Sequence, residues 1–294
     1  MIPSLTLGSH TFHWGQRTYV MGILNATPDS FSGDGLLAGP GETGLSLARH
    51  FFELGVDILD IGGESTRPGS QPVTAAQEME RVLPLLSAIK AEFPDALLSI
   101  DTCKAEVAEA ALSNGASIVN DVWGLRLDPA LASVAARHNV PVILMHNRSN
   151  PASVEIRNRL GSAYLGAEYQ DLLSDVQREL MESVAIARQA GIPDGYIILD
   201  PGLGFGKTVA QNLELIRRLD EIRSLGFPIL LGPSRKSFIG YTLDLPPDQR
   251  LEGTAAAVAI SIVRGADIVR VHDVEFMRRV ARMADAIVRR KTPA

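Results

Sequence analysis

The chain has 294 residues, 46% of them apolar, and a formal net charge of −6. That length excludes a peptide-sized module, and a chain of this size buries roughly three quarters of its unfolded surface without needing staples. The acidic balance gives no general attraction to nucleic acid or to an anionic membrane, the one cysteine, Cys103, excludes an intramolecular disulfide, and no apolar run is longer than a strand. The opening MIPSLTLGSHTFHWGQ has neither a basic region nor a long apolar stretch, so we expect no secretory signal and a cytoplasmic protein.

Residues 4–18 read as an added hairpin. Short β-branched apolar runs then recur at 19–25, 57–63, 97–101, 117–121, 140–146, 196–200, 228–232 and 267–272. Four to six apolar residues in a row fit strands buried on both faces, as parallel strands are. Between them lie stretches of helical period, among them 104–115 and 208–226. Thr74 with Gln77 three residues on forms a capping-box pattern, and Pro84 falls inside the helix that follows. Gly55, Gly115, Gly191, Gly226 and Gly265 each stand just before a strand, where a helix ends most cheaply in the left-handed conformation. Eight βα units without a break in composition predict an α/β fold of one domain, a closed (β/α)8 or TIM barrel over about 19–290. An open doubly wound sheet is the alternative, but it needs a switch point that the sequence does not offer.

A buried strand has no structural need for a polar last residue, yet these strands end in Asn25, Asp101, Asn120 with Asp121, His146, Asp200, and Arg270 with His272. In a barrel all such ends face one rim, where active sites lie. Any one of them could be an ordinary cap or turn former; turn chemistry does not call for Arg or His. Two long loops, 25–35 and 62–72, mix Gly and Pro with hydroxyl and charged groups, as expected of mobile segments that wrap a ligand. DPGLGFGKT (200–208) fits neither a P-loop nor a dinucleotide fingerprint; its glycines would let the backbone or Phe205 approach a ligand closely. Arg235, Lys236, Arg270 and His272 make a cationic patch after strands seven and eight, the habitual phosphate site of such barrels. Cys103 reads as a packed thiol, and the six histidines show no zinc-like spacing.

NATPDSFSGDG, DIGGESTRPG, SIDT, LMHNR, DPGLGFGK, GPSRKS and VRVHD stand in the order and spacing of the dihydropteroate synthase family, which the chain resembles from Asn25 to Asp273. The resemblance implies a TIM barrel, usually dimeric, that joins 6-hydroxymethyl-7,8-dihydropterin diphosphate to p-aminobenzoate, giving 7,8-dihydropteroate and diphosphate for folate synthesis. Sulfonamides imitate the p-aminobenzoate. By the same resemblance, Asn25 would coordinate Mg2+ near the diphosphate, and Asp101, Asn120 and Asp200 would hold the pterin. Lys236 would lie between the two substrates, Arg270 and His272 would bind the diphosphate, and Thr66 would make a further contact. Arg67, Pro68, Phe205 and Ser237 would surround p-aminobenzoate. Asp101, Lys236, Arg270 and His272 are the residues expected to carry the chemistry. Gly33-Asp34-Gly35 departs from the commoner Asp-Gly-Gly. Two rivals remain: a methyltransferase acting on methyltetrahydrofolate, and a silent paralogue that only binds pterin.

Overall fold

A computed structural model describes residues 2–26, 40–150 and 153–289. Most of the first long loop, with the Gly33-Asp34-Gly35 departure, lies outside the described residues. Strands β1 (Leu5–Leu7) and β2 (His10–Phe12) pair as the expected antiparallel hairpin. The barrel strands are β3 (Tyr19–Asn25), β4 (Ile58–Gly62), β5 (Leu98–Asp101), β6 (Ile118–Asp121), β7 (Val142–Met145), β10 (Ile197–Asp200), β11 (Leu230–Leu231) and β12 (Ile268–Val271). All pair in parallel, in the order β10-β7-β6-β5-β4-β3-β12-β11. A parallel bridge between Leu199 and Ile229 joins the two ends, so the barrel closes. Each of the eight apolar runs in the sequence becomes one of these strands.

The outer face of the sheet is covered by helices α1 (Pro40–Glu53), α2 (Ala75–Glu92), α3 (Ala105–Ser113), α4 (Ala130–His138), α5 (Leu172–Gln189), α6 (Val209–Arg217), α7 (Leu219–Arg223), α8 (Ser237–Leu243), α9 (Leu251–Val263) and α10 (Val274–Val288). Thr74 and Gln77 form the capping box of α2, which contains Pro84. The five helix-ending glycines all take positive φ, between 73° and 102°. The stretch 208–226 is two helices rather than one: the ladder breaks at Arg218, φ −112°. The break keeps Leu215 and Ile216 before it, and Leu219 and Ile222 after it, in the core.

Inside the barrel the two-residue period of a strand sorts side chains by height. Met21, Ile58, Leu97, Ile118, Ile143, Ile198, Leu230 and Ile268 fill one apolar cluster, to which the N-terminal hairpin adds Leu5 and Phe12. Phe12 packs on Tyr19 with ring centroids 4.7 Å apart, so the hairpin closes that end. Two residues further along the strands the inward positions are Asp60, Asn120, Asp200 and Arg270, with Asp101 two beyond Ser99. The floor is dry and the mouth polar, and that boundary positions the site.

An unforeseen element is a second antiparallel hairpin, β8 (Val154–Arg157) with β9 (Gly161–Tyr164), between β7 and α5. Its strands are half-exposed and carry no apolar run, which is why hydrophobic periodicity gives no hint of it.

Candidate active site

The register sets Asn25 beside Gly62, Gly62 beside Asp101, and Asp101 beside Asn120, one row along the rim. The centre of the mouth is Arg270. Its Nε donates to Asp60 Oδ2 at 2.5 Å and its Nη2 to Asp101 Oδ2 at 2.6 Å. Asn120 Nδ2 donates to the same Asp60 oxygen at 3.0 Å. Asp60 is fully buried and was not singled out by sequence, although a carboxylate in the middle of the run DILDIGG, on a strand buried on both faces, is itself a signal.

Two carboxylates share one guanidinium. Burial would lower the pKa of Arg270, but the attraction of Asp60 and Asp101 outweighs it and holds the guanidinium firmly charged. Asp101 is pushed up to about 7, by burial first; Arg270 pulls it down, and Asp60 repels its ionised form.

Asp200 ends β10 and accepts the N–H of Gly202 at 2.7 Å through Oδ1. Burial raises its pKa to about 6 against that bond and the charges of Lys236, Lys207 and Arg270. Lys236 lies between β11 and α8, its Nζ 4.1 Å above the Phe205 ring. Burial lowers its pKa to about 8, with Asp200 the main opposing influence. Carboxylate and ammonium thus ionise near neutrality and within reach of each other's field. His272 Nδ1 stands 3.0 Å from Ser234 Oγ, which also accepts the His272 backbone N–H. The Ser234 hydroxyl can then donate to Nδ1, which leaves the proton on Nε2. Burial, then Arg270, lowers the His272 pKa to about 3, so the ring is neutral; Arg67 is among the cations that press on it.

The remaining expected residues stand on strand ends and loops of the same rim. Thr66, Arg67 and Pro68 lie in the loop after β4. The carbonyls of Thr66 and Pro68 accept from Tyr164 and Ser162 of the second hairpin, at 3.1 and 3.0 Å. Ser237 opens α8, next to Lys236, and Asn25 is the half-buried last residue of β3. Arg235 pairs with Asp273 at 2.5 Å.

Two polar strand ends do other work. Asp121 accepts the N–H groups of Trp123 and Leu125, at 2.8 and 2.6 Å, and so closes its own turn. His146 lies between Glu179 Oε2 (3.1 Å) and Lys207 Nζ (3.0 Å), and Lys207 also donates to the carbonyls of Gly202 and Phe205. The glycine-rich turn therefore makes its close approach to this neighbouring loop: a Cβ on Gly202, φ +72°, would stand 1.9 Å from the carbonyl oxygen of His146. At Gly202 that closeness packs the turn that carries Phe205. Burial pushes the Cys103 thiol up to about 12, in keeping with a packed thiol.

A closed barrel with carboxylates, an amide, an ammonium and a guanidinium gathered at the carboxyl ends of its strands is the architecture of a barrel enzyme with its active site at that rim. Residues 21–272 match the family model of pterin binding enzymes. The dihydropteroate synthase of Clostridium beijerinckii is 48% identical over 287 residues, covering 97% of this chain and 100% of that protein. A crystal structure of the dihydropteroate synthase of Clostridium difficile, determined in the presence of pteroic acid, superposes with a TM-score of 0.86 at 45% identity, covering 95% of this chain and 100% of that one. That of Xanthomonas albilineans, with 4-aminobenzoic acid, gives 0.87 at 37% identity, covering 98% of both chains. The chain belongs to the pterin-binding enzyme family.

Proposed function

We propose that this enzyme condenses 6-hydroxymethyl-7,8-dihydropterin diphosphate with p-aminobenzoate, as a dihydropteroate synthase. The observation that carries the reading is the meeting of Asp200, Asn120 and Lys236 above an apolar floor. A 2-amino-4-oxo pterin edge presents adjacent N–H donors and a carbonyl. Asp200 accepts from the donors, Asn120 serves either side, and Lys236 donates to the carbonyl. A fully paired buried edge also rejects analogues that would leave one of these groups unsatisfied.

In the reaction the C–O bond between the pterin methylene and the diphosphate breaks, and its electron pair leaves with the diphosphate. The amine of p-aminobenzoate forms the new C–N bond and then releases a proton to the departing diphosphate or to water. The arylamine is a weak nucleophile because its lone pair is shared with the ring, so departure of the diphosphate runs ahead of attack. Arg270 stabilises the growing negative charge, and His272, being neutral, adds a hydrogen bond from Nε2 rather than a charge. Ionised Asp101 steadies positive charge on the methylene. Arg67, Pro68, Phe205 and Ser237 form the p-aminobenzoate side, with Thr66 a further contact. The side-chain oxygen of Asn25 is a hard donor and would be the residue that holds Mg2+, which would supply positive charge to the leaving group.

We read the working form as a cytoplasmic homodimer. Among the described residues no helix is long and apolar enough to cross a membrane. Phe276, Val280, Met283 and Ile287 recur at helical spacing on α10, and Met283 and Ile287 are 64% and 70% exposed. Ile260 and Val263 extend this apolar stripe on the adjoining α9, at 50% and 58%. Such a face favours a second copy of the chain over water.

The function is tested by following diphosphate release with p-aminobenzoate titrated in. A synthase releases diphosphate in step with added p-aminobenzoate and forms dihydropteroate; a methyltransferase or a silent paralogue releases none.

A further inference from the structure

The second hairpin touches the loops after β4 and β10, and Arg250 ties it to the loop after β11. From it, Tyr164 donates its hydroxyl to the carbonyl of Thr66 at 3.1 Å, and Ser162 donates to the carbonyl of Pro68 at 3.0 Å. These bonds hold the loop after β4. On its other side the Tyr164 ring lies against Phe205, centroids 6.1 Å apart at 32°, and Phe205 carries the ammonium of Lys236 over its face. The turn that joins the two strands of the hairpin is fixed as well. Arg250, only 3% exposed, donates from Nη2 to the carbonyl of Leu160 at 2.8 Å and from Nη1 to the carbonyl of Arg235 at 2.9 Å. Ala167, just past the hairpin, donates its N–H to the carbonyl of Gly206 at 2.9 Å.

A loop rich in Gly, Ser and Pro has few apolar contacts of its own and stays ordered only where its backbone is held. Within the loop Ser70 bonds to the carbonyls of Ser65 and Arg67; the two carbonyls that the hairpin holds from outside belong to Thr66 and Pro68, on either side of Arg67. We infer that the β8–β9 hairpin is a fixed strap for the p-aminobenzoate side of the mouth, and that Tyr164 and Ser162 are positioning residues for the second substrate. One tyrosine joins both walls of that slot: the hydroxyl secures the loop after β4, and the ring braces Phe205. On the pterin side Asp101, Asn120 and Asp200 stand at strand ends, and Lys236 meets the strap only through the stacked rings of Phe205 and Tyr164, which the loss of a hydroxyl leaves in place. The inference rests on the proposed function for the identity of the second substrate, and not for the mechanics of the loop.

The test is the double variant Tyr164→Phe/Ser162→Ala, which removes two hydroxyls and no ring. A neutral hydrogen bond contributes about 1 kcal/mol, roughly fivefold in a binding constant, so losing two raises the KM for p-aminobenzoate by about tenfold or more. The dissociation constant of the pterin diphosphate stays within about twofold. Amide exchange over 64–72 speeds up, while exchange in the barrel strands does not change. If the KM values of both substrates rise together, or if 64–72 exchanges as slowly as in the parent, the strap is wrong. Should the parent protein release no diphosphate with p-aminobenzoate, the proposed function fails by itself, and the exchange measurement alone decides the strap.

Discussion

Arg270 and Asp60, 210 residues apart in sequence, meet at 2.5 Å between the apolar floor of the barrel and its polar mouth. Asp60 holds the guanidinium from below and Asp101 holds it from the side, so the cation is aimed before any substrate arrives. Removing Asp60 leaves Arg270 with Asp101 alone and takes the acceptor from Asn120 Nδ2, so two buried donors lose a partner at once. Asp60→Ala therefore costs about 3–5 kcal/mol of folding stability, measured by urea denaturation, whereas Asp60→Asn, which keeps an acceptor oxygen, costs less. An Asp60→Ala protein as stable as the parent would show that Arg270 does not need its partner.

Arginine at 270 is required for its fork as well as its charge. Arg270→Lys keeps the charge but cannot bridge Asp60 and Asp101 while facing a diphosphate. We expect kcat to fall by about 100-fold, with affinity for the non-phosphorylated pterin changed only a few-fold, by comparing steady-state rates with equilibrium titration. Equal losses in both would contradict a role at the leaving group.

The pH dependence of pterin binding follows from Asp200 and Lys236. Asp200 accepts from both adjacent N–H donors of the pterin edge only when ionised, so affinity rises as pH climbs through about 6. Lys236 donates as an ammonium only when protonated, so affinity falls again above about 8. Titrations between pH 5 and 9 should give a bell, and Lys236→Arg should remove its alkaline limb, because a guanidinium stays charged there. An alkaline limb that survives in Lys236→Arg would assign it to another group.

The apolar stripe on α9 and α10 makes its own prediction. Met283→Glu with Ile287→Lys places charges where a second copy would bury apolar surface. Sedimentation should show the parent as a dimer and the variant as a monomer with its helical circular dichroism intact. A dimer that persists in the variant moves the interface elsewhere.

The barrel was legible because eight β-branched runs alternate with helical stretches and each run becomes a strand. The glycines before the strands and the Thr74–Gln77 cap marked element ends by local chemistry alone. The mouth was legible wherever a polar residue ended a strand: Asn25, Asp101, Asn120, Asp200 and Arg270. The same rule gave no means of telling Asp121, which caps its own turn, or His146, which braces Lys207, from residues that face the mouth. Inside and outside alternate along a strand, and a one-residue difference in position decides the matter. Asp60 escaped notice because its partner lies six barrel strands later in the chain, and the second hairpin because its short polar strands have no hydrophobic period. The apolar stripe of α10 is visible in sequence only as amphipathic spacing, which a core-facing helix shares.

The most direct test of the account is pterin diphosphate binding to Asp200→Asn, measured by calorimetry beside the parent protein at pH 7. An amide of the same shape gives up the carboxylate that accepts from the pterin's N–H edge. The variant should fold with unchanged melting behaviour and bind at least about 100-fold more weakly, the loss expected when a buried donor pair faces the wrong group. Binding within a few-fold of the parent would mean that the heterocycle does not sit on Asp200, and the proposed arrangement of the mouth would be wrong.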